Sequence, residues 1–444
     1  MTLEDHLQAN ALRYPHKVAV VCQGSATTYS QLYDMVKDRV KQLHASGVGK
    51  GSIVCFRTSQ DIDFLVNYLA IHKAGAVAVP LEKDIPDEKF QAVERQYSSF
   101  TPPEGVADIL YTTGTTGEQK GVMVSHDTIM ADAENLIAGQ GFSHDLLFVV
   151  CGPLNHIGSL SKIYPVITLG ATLYITEGMK NLEEFFNALD YPCQKVATFL
   201  VPASVRILLQ LASKRLRNYA LKIDFIESGA APMPHSDMLA LCEALPYTRL
   251  YNTYASTETG IICTYNYNDG RCLAGCLGKP MPNSEVFITS EGHVACKGRT
   301  LMTGYAADEA KTREVLKDET VFTADNGMID SEGMLHLLGR DDDVVNVGGY
   351  KVAPTEVEDA AMSMEGISDC ICISVPSPIT GQALKLLYVS ADGTPLPKRD
   401  MARHIQKKVE TYKVPLLYEM VDKIARTYNG KLDRKHYRET KNQK

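Results

Sequence analysis

Apolar residues recur along the chain with two different periods. Runs such as "KVAVVC", "AVAVPL", "LLFVVC", "ATLYIT" and "VATFLV" are almost continuously hydrophobic. Rich in β-branched side chains, they read as strands buried on both faces. Between them the period changes. After Asp61, a residue suited to cap a helix, Ile62, Leu65, Val66, Leu69 and Ala70 fall on one helical face. "ILYTT" and "KIDFIESG" continue the strand series. Strands separated by helix-length segments predict an α/β fold with a largely parallel sheet. After residue 340 the texture shifts. "GRDDDVVNVGGYK" is charged and glycine-bearing, and a helix over Pro354–Met364, strands "CICISVP" and "LKLLYVS", and a helix near 397–410 follow. The chain thus divides into a large N-terminal domain, residues 1–340, of mostly parallel sheets with flanking helices, and a small α+β domain, residues 341–444.

Composition narrows the class. Of 444 residues 45% are hydrophobic and 22% charged, the profile of a globular protein with a sizeable core. The net charge of -8 argues against a broad nucleic-acid footprint. The first residues, "MTLEDHLQAN", are polar and do not read as a signal peptide, and no apolar run reaches the ~18 residues of a membrane span. The 11 cysteines are odd in number and scattered. Cys272 and Cys276 form a C-x3-C pair without a partner pair, and Cys370 and Cys372 share one face of a strand. Reduced, mostly buried thiols in a cytoplasmic protein are expected.

The chemistry is concentrated in "LYTTGTTGEQKGVMVSH", Leu110–His126. A buried strand opens into a run of Thr and Gly followed by Lys120. Glycine lets backbone approach a ligand closely, consecutive N–H groups form an anion-binding nest, and the lysine adds charge. The loop reads as a phosphate cradle rather than a solvated turn. It is not the loop in which Lys directly follows Gly, because Glu118 and Gln119 intervene before Lys120. No Ser-His-Asp, Cys-His or zinc-spaced constellation stands out.

The run Thr112–Gly121 resembles the phosphate-binding signature of the adenylate-forming superfamily, in its acyl- and aryl-CoA ligase branch. Further motifs follow in the family's order: "SGAAPMP" (Ser228–Pro234), "NTYASTETG" (Asn252–Gly260), "TADNGMIDSEGMLHLLGR" (Thr323–Arg340), "DDDVVNVGGYKVAPTEVE" and "RTYNGKLDR" (Arg426–Arg434). The resemblance implies a small domain that is mobile, with its hinge at Asp342, and these roles. Thr112, Thr113, Gly114, Thr115, Thr116, Gly117 and Lys120 hold the β- and γ-phosphates of ATP. Gly229, Ala230, Ala231 and Pro232 line the adenine and acyl pocket with Asn252 and Tyr254, whose ring faces adenine. Thr257 bonds the α-phosphate, and Glu258 ligates Mg²⁺, a hard cation suited to carboxylate and phosphate oxygens. Asp325, supported by Arg340, takes the ribose hydroxyls. Lys431 reaches the acyl carboxylate and the α-phosphate. "PLNHIGSL" (Pro153–Leu160) resembles the P-L-x-H motif, placing His156 at the acyl pocket and lacking the Asp that pairs an amino-acid amine.

There are departures. Glu118-Gln119 replaces x-Pro, Ala255 stands for Gly, Ala324 sits in the T-G-D position, and Ala425-Arg426 replaces Pro-Lys. The segment between Pro80 and Ala107 is shorter than in typical members, so the N-terminal subdomain is pared down. The implied reaction is ATP- and Mg²⁺-dependent ligation of a small carboxylic acid to the thiol of CoA through an acyl-AMP intermediate. A stand-alone enzyme that loads a phosphopantetheinylated carrier protein, and a silent nucleotide-binding homologue, are the alternatives. A homodimer stays open. No nucleic-acid partner and no membrane span are expected.

Overall fold

The uninterrupted apolar runs become the central strands of three sheets. A computed structural model describes residues 1–112, 120–179, 181–340, 343–427 and 432–439. In the largest sheet, of 14 strands, Val18–Cys22, Thr172–Ile175, Leu146–Val150, Lys195–Leu200, Ile223–Ser228 and Arg249–Ser256 lie side by side and parallel. All of these but Arg249–Ser256 are strands read from the sequence. Beyond Arg249–Ser256 the same sheet continues antiparallel through Gly260–Asn266, Cys276–Pro280, Leu335–Arg340, Thr320–Ile329, His293–Gly298 and Ser284–Ile288. The strands of that half mix buried with half-buried or exposed positions, a weaker signal than a solid apolar run.

A second sheet has 5 strands in the order Gly304–Tyr305, Gly121–Ser125, Val106–Tyr111, Val77–Leu81 and Ile53–Arg57. Its last three strands are parallel, and the hairpin Val106–Tyr111/Gly121–Ser125 is antiparallel. The helix Ile62–Lys73 begins where Asp61 accepts a hydrogen bond from the Asp63 amide at 3.0 Å. It buries Phe64, Leu65, Tyr68, Leu69 and His72, so it is a core helix rather than an amphipathic surface one. Each such large apolar side chain contributes about 1.5–3 kcal/mol by leaving water. The segment after Leu81 carries one helix, Asp87–Tyr97, which buries only Tyr97.

The C-terminal residues build a third sheet from Tyr350–Val352, Val345–Val347, Gly381–Ser390 and Ile367–Ser377, with Leu417–Met420 beside Gly381–Ser390. Val352, Val357, Cys370, Cys372, Leu386, Met401 and Ile405 form its own core. As expected from their spacing, Cys370 and Cys372 are buried together. The expected helices appear at Pro354–Met362 and Lys398–Gln406. An ionic bridge joins this unit to the large sheet's helix Pro202–Arg217. Arg206 donates to Asp237 at 2.8 Å and to Asp369 at 3.0 Å, and Arg426 donates to the same Asp369 at 2.7 Å.

The helix His126–Gln140 carries a polar stripe into the interior, where Asp132, Asn135 and Gln140 are buried. Asp132 Oδ1 accepts from the Ile261 amide at 2.8 Å, and Asn135 donates to the Ile261 carbonyl at 2.9 Å. Burial pushes the Asp132 carboxyl up to about 7, against the opposing pull of the Ile261 amide and Lys162. A raised carboxyl holds its proton in the folded chain after the unfolded chain has lost it. Its penalty is therefore absent below pH ~4, grows as the pH rises, and is complete above about 7. D132N is expected to remove this slope, on the order of a few kcal/mol across that window. Asp359, also raised to about 7 by burial and by Glu358 beside it, leaves its own slope in place. Urea melts of both proteins from pH 4 to 8 check this; parallel curves refute it.

Candidate active site

Three parallel strands, Lys195–Leu200, Ile223–Ser228 and Arg249–Ser256, end on the same edge, where ligands bind in open α/β sheets. Past Ser228 the chain turns through Gly229 and Ala230. Ala230 has φ +68°, the left-handed region that costs an L-residue energy. A Cβ on Gly229 would lie 3.1 Å from the Thr253 carbonyl, so this turn packs directly on the neighbouring strand. Ala231 is half-buried and Pro232 exposed. Asn252 is buried and spends its amide on the Cys276 carbonyl at 3.0 Å, which makes it a tie between strands.

The hairpin sets both ends of the threonine–glycine loop. Tyr111 pairs with Gly121, and the Thr112 amide donates to the Lys120 carbonyl at 3.1 Å. Thr113, Gly114, Thr115, Thr116 and Gly117 lie outside the described residues. Lys120 places its ammonium 5.3 Å from the centre of the Tyr305 ring. Tyr305 in turn donates its hydroxyl to Glu258 Oε1 at 3.0 Å. Burial and the adjacent Glu258 push the Tyr305 phenol well up, so it stays a donor. Cation, phenol and carboxylate therefore stand in one row.

Thr257 and Glu258 sit on the turn between Arg249–Ser256 and Gly260–Asn266. Ser256 and Thr259 exchange hydrogen bonds across it, and the Met302 amide donates to the Glu258 carbonyl at 2.9 Å. On the preceding strand Tyr254 is buried and donates to Asp325 Oδ2 at 2.8 Å. Burial and then Asp325 raise that phenol as well. Asp325 pairs in register with Arg340, whose Nε lies 3.3 Å from Asp325 Oδ1. The expected Tyr254, Asp325 and Arg340 are thus brought together.

His156 caps the helix Ile157–Leu169, its Nδ1 accepting from the Gly158 amide at 3.3 Å. It lies on the same edge, since a Cβ on Gly158 would touch Phe199 at 2.9 Å and His156 Nδ1 at 3.3 Å. Two further residues, unremarked in the sequence, lie behind it. Lys162 and Glu227 form an ion pair at 2.8 Å, each side chain 1% exposed, with the Lys162 ammonium 5.2 Å from the Phe199 ring centre. A lysine in an apolar helix and a glutamate at a strand end are each unexceptional; only the fold makes them partners. Tyr305 was equally unmarked. Asp342 and Lys431 lie outside the described residues.

The chain matches the family described as "AMP-binding enzyme" over residues 7–99 and 87–306, and the "AMP-binding enzyme C-terminal domain" over residues 356–431. A 2-succinylbenzoate–CoA ligase of Bacillus cereus (strain AH820) is 24% identical over 484 residues, covering 99% of this chain and 98% of that protein. A feruloyl-CoA synthase of Amycolatopsis sp is 25% identical over 474 residues, covering 94% of each. Among solved structures, ATP-bound MatB from Rhodopseudomonas palustris superposes with a TM-score of 0.87 at 22% identity, covering 99% of both chains.

The turn that presents Glu258 depends on Gly260. Its φ is +67°, and a Cβ there would lie 2.5 Å from the Thr300 carbonyl and 2.7 Å from Asp132 Oδ1. G260A is expected to lower stability by about 2 kcal/mol or more, because strain and a backbone clash add. Thermal unfolding of the variant measures it; an unchanged midpoint refutes the close packing.

Proposed function

The chain belongs to the AMP-binding enzyme family, and from that premise we propose that it joins a small carboxylic acid to the thiol of CoA at the expense of ATP. The observation that carries this reading is the row Lys120–Tyr305–Glu258 set beside Tyr254–Asp325–Arg340. The first row suits a metal-bound triphosphate, the second a ribose. In step one a carboxylate oxygen of the acid attacks the α-phosphorus, the bond to the β-phosphate oxygen breaks, and pyrophosphate leaves with its charge. In step two the pantetheine sulfur attacks the acyl carbon, AMP departs, and the thiol proton passes to solvent. Charge stabilisation and positioning supply most of what such a transfer needs, so no protein nucleophile is required.

Lys120 and the loop Thr112–Gly117 hold the departing phosphates, and Thr257 the α-phosphate. Glu258 is the residue that would hold Mg²⁺, which neutralises phosphate oxygens when bound; its hard carboxylate oxygen, beside an ammonium and hydroxyls, fits that cation. Tyr254 stands at the adenine side, and Asp325 with Arg340 takes the ribose. His156, with Phe199 behind it, borders the acid. Lys431 bridges the acid and the α-phosphate, residues 341–444 move as the small domain, and Asp342 is the pivot. "PLNHIGSL" has no acid to pair an amine, which favours substrates without one. Among the described residues no helix is long and apolar enough to cross a membrane.

Acid-dependent exchange of labelled pyrophosphate into ATP, run over a broad panel of acids, tests the first step. Acyl-CoA formation from CoA tests the second; AMP release with a phosphopantetheinylated carrier and not with CoA would make the acceptor a protein. Exchange with no acid in the panel, together with no ATP binding, refutes the reading. K431A is expected to cut exchange by about 100-fold or more, by analogy with the loss of one preorganised charge-stabilising group, while thioester formation from supplied acyl-AMP persists. Equal loss in both steps removes Lys431 from the role. D342P is expected to leave exchange intact and abolish thioester formation; unaltered overall turnover removes Asp342 as the pivot.

A further inference from the structure

The strand Val106–Tyr111 is apolar except for Asp108, which is completely buried. Both of its oxygens are engaged. Tyr68 donates to Oδ2 at 2.7 Å, and His72 Nε2 lies 2.8 Å from Oδ1. A carboxylate accepts, so Nε2 carries the proton and the neutral ring keeps its lone pair on Nδ1. Nδ1 points away from Asp108. Burial opposes a second proton on the ring, while Asp108, Glu4 and the Ala107 carbonyl beside it favour one; without that proton Nδ1 has no hydrogen-bond partner among the described residues.

Two neighbouring residues each carry a polar atom in the same condition. Glu4, in the first turn of the helix Leu3–Arg13, is 7% exposed, and its Oε2 is buried without a partner. His126, first residue of the helix His126–Gln140, has a buried Nδ1 without a partner. The two imidazoles stand edge to face, centres 5.2 Å apart. One ligand atom each from Glu4, His72 and His126 lies within 4.8 Å of the others. A buried polar atom left unsatisfied costs roughly 1–3 kcal/mol, and each of these three clustered residues carries one.

We propose that Glu4, His72 and His126 form a site for a borderline divalent transition cation of the zinc type. Two imidazole nitrogens and one carboxylate oxygen are a donor set that such cations select, with a fourth position for water. His126 is only half-buried, which gives water and the ion a way in. Asp108 is the outer carboxylate that orients His72, an arrangement typical behind a metal-bound histidine. The site clips the first helix to two core helices. It is separate from the proposed nucleotide site. His126 directly follows the strand Gly121–Ser125, whose other end adjoins Lys120, a strand length of roughly 17 Å away. The three residues are distant in sequence, so no ligand-spacing motif exists for them.

The probe is Co²⁺ titrated into chelator-treated full-length protein, read by its visible d–d absorption, with Zn²⁺ as competitor. One equivalent of Co²⁺ is expected to give the intense bands of a four-coordinate site, and one equivalent of Zn²⁺ to erase them. E4Q and H126Q are each expected to lose the bands, and D108N to weaken binding by about 10–100-fold. Zn²⁺ is expected to raise the melting temperature of the wild type and leave that of E4Q unmoved. Circular dichroism confirms that each variant is folded, and pyrophosphate exchange is expected to survive in E4Q. An absent cobalt band, or a band that persists at full affinity in either E4Q or H126Q, overturns the site and leaves the cluster a proton-sharing charge network.

Discussion

The arrangement of the site hangs on a two-residue strand. Gly304 and Tyr305 pair with Met123 and Val122, and so fasten a segment leading away from the large sheet onto the strand Gly121–Ser125. The Tyr305 backbone thereby fixes the second sheet, while its hydroxyl holds Glu258 on a turn of the first. One residue sets the spacing between the ammonium of Lys120 and the carboxylate of Glu258. Two opposite charges at the ends of separate sheets would otherwise relax toward each other or toward water. A neutral phenol between them, too buried to ionise, keeps both charges available to a ligand.

All the parallel strands of the large sheet but Arg249–Ser256 were legible because burial on both faces removes polar positions from them, and so were the core helix Ile62–Lys73 and its Asp61 cap. The antiparallel half of the large sheet was not, since its strands mix buried and exposed positions with no regular period. Legibility of the site follows the same division. Tyr254, Asp325 and Arg340 sit in motifs with recognisable spacing, and the structure brings them together. Tyr305, Phe199 and the pair Lys162–Glu227 carry no local mark. A tyrosine or a lysine in an apolar stretch gains its meaning only from a partner that the chain supplies far away. Asn252 shows the converse, since it lies inside a motif yet its amide closes a strand-to-strand tie.

Asp108 illustrates how an apolar run conceals chemistry. Within "VADILY" it looks like an interruption that the strand tolerates. In the fold it orders Tyr68 and His72 around itself and leaves the imidazole aimed at Glu4 and His126. Periodicity identifies where a side chain is buried, but not what it meets there.

The small unit raises a question of energetics that the ionic bridge answers. A domain that turns between two reaction steps needs contacts firm enough to define a pose and cheap enough to break. Breaking a buried ion pair usually strands a charge, at a cost of about 3–5 kcal/mol. Asp369 avoids this because two guanidinium groups share it, Arg206 from the large unit and Arg426 from its own. Arg206 likewise holds a second carboxylate, Asp237, on its own side. Separation of the units along the proposed pivot would therefore cut one link of a chain of four charges and leave two intact pairs. Arg434, bound to Glu358 and to the Cys372 carbonyl, keeps its own partners within the small unit. The contact between the units therefore breaks without the penalty of an orphaned charge.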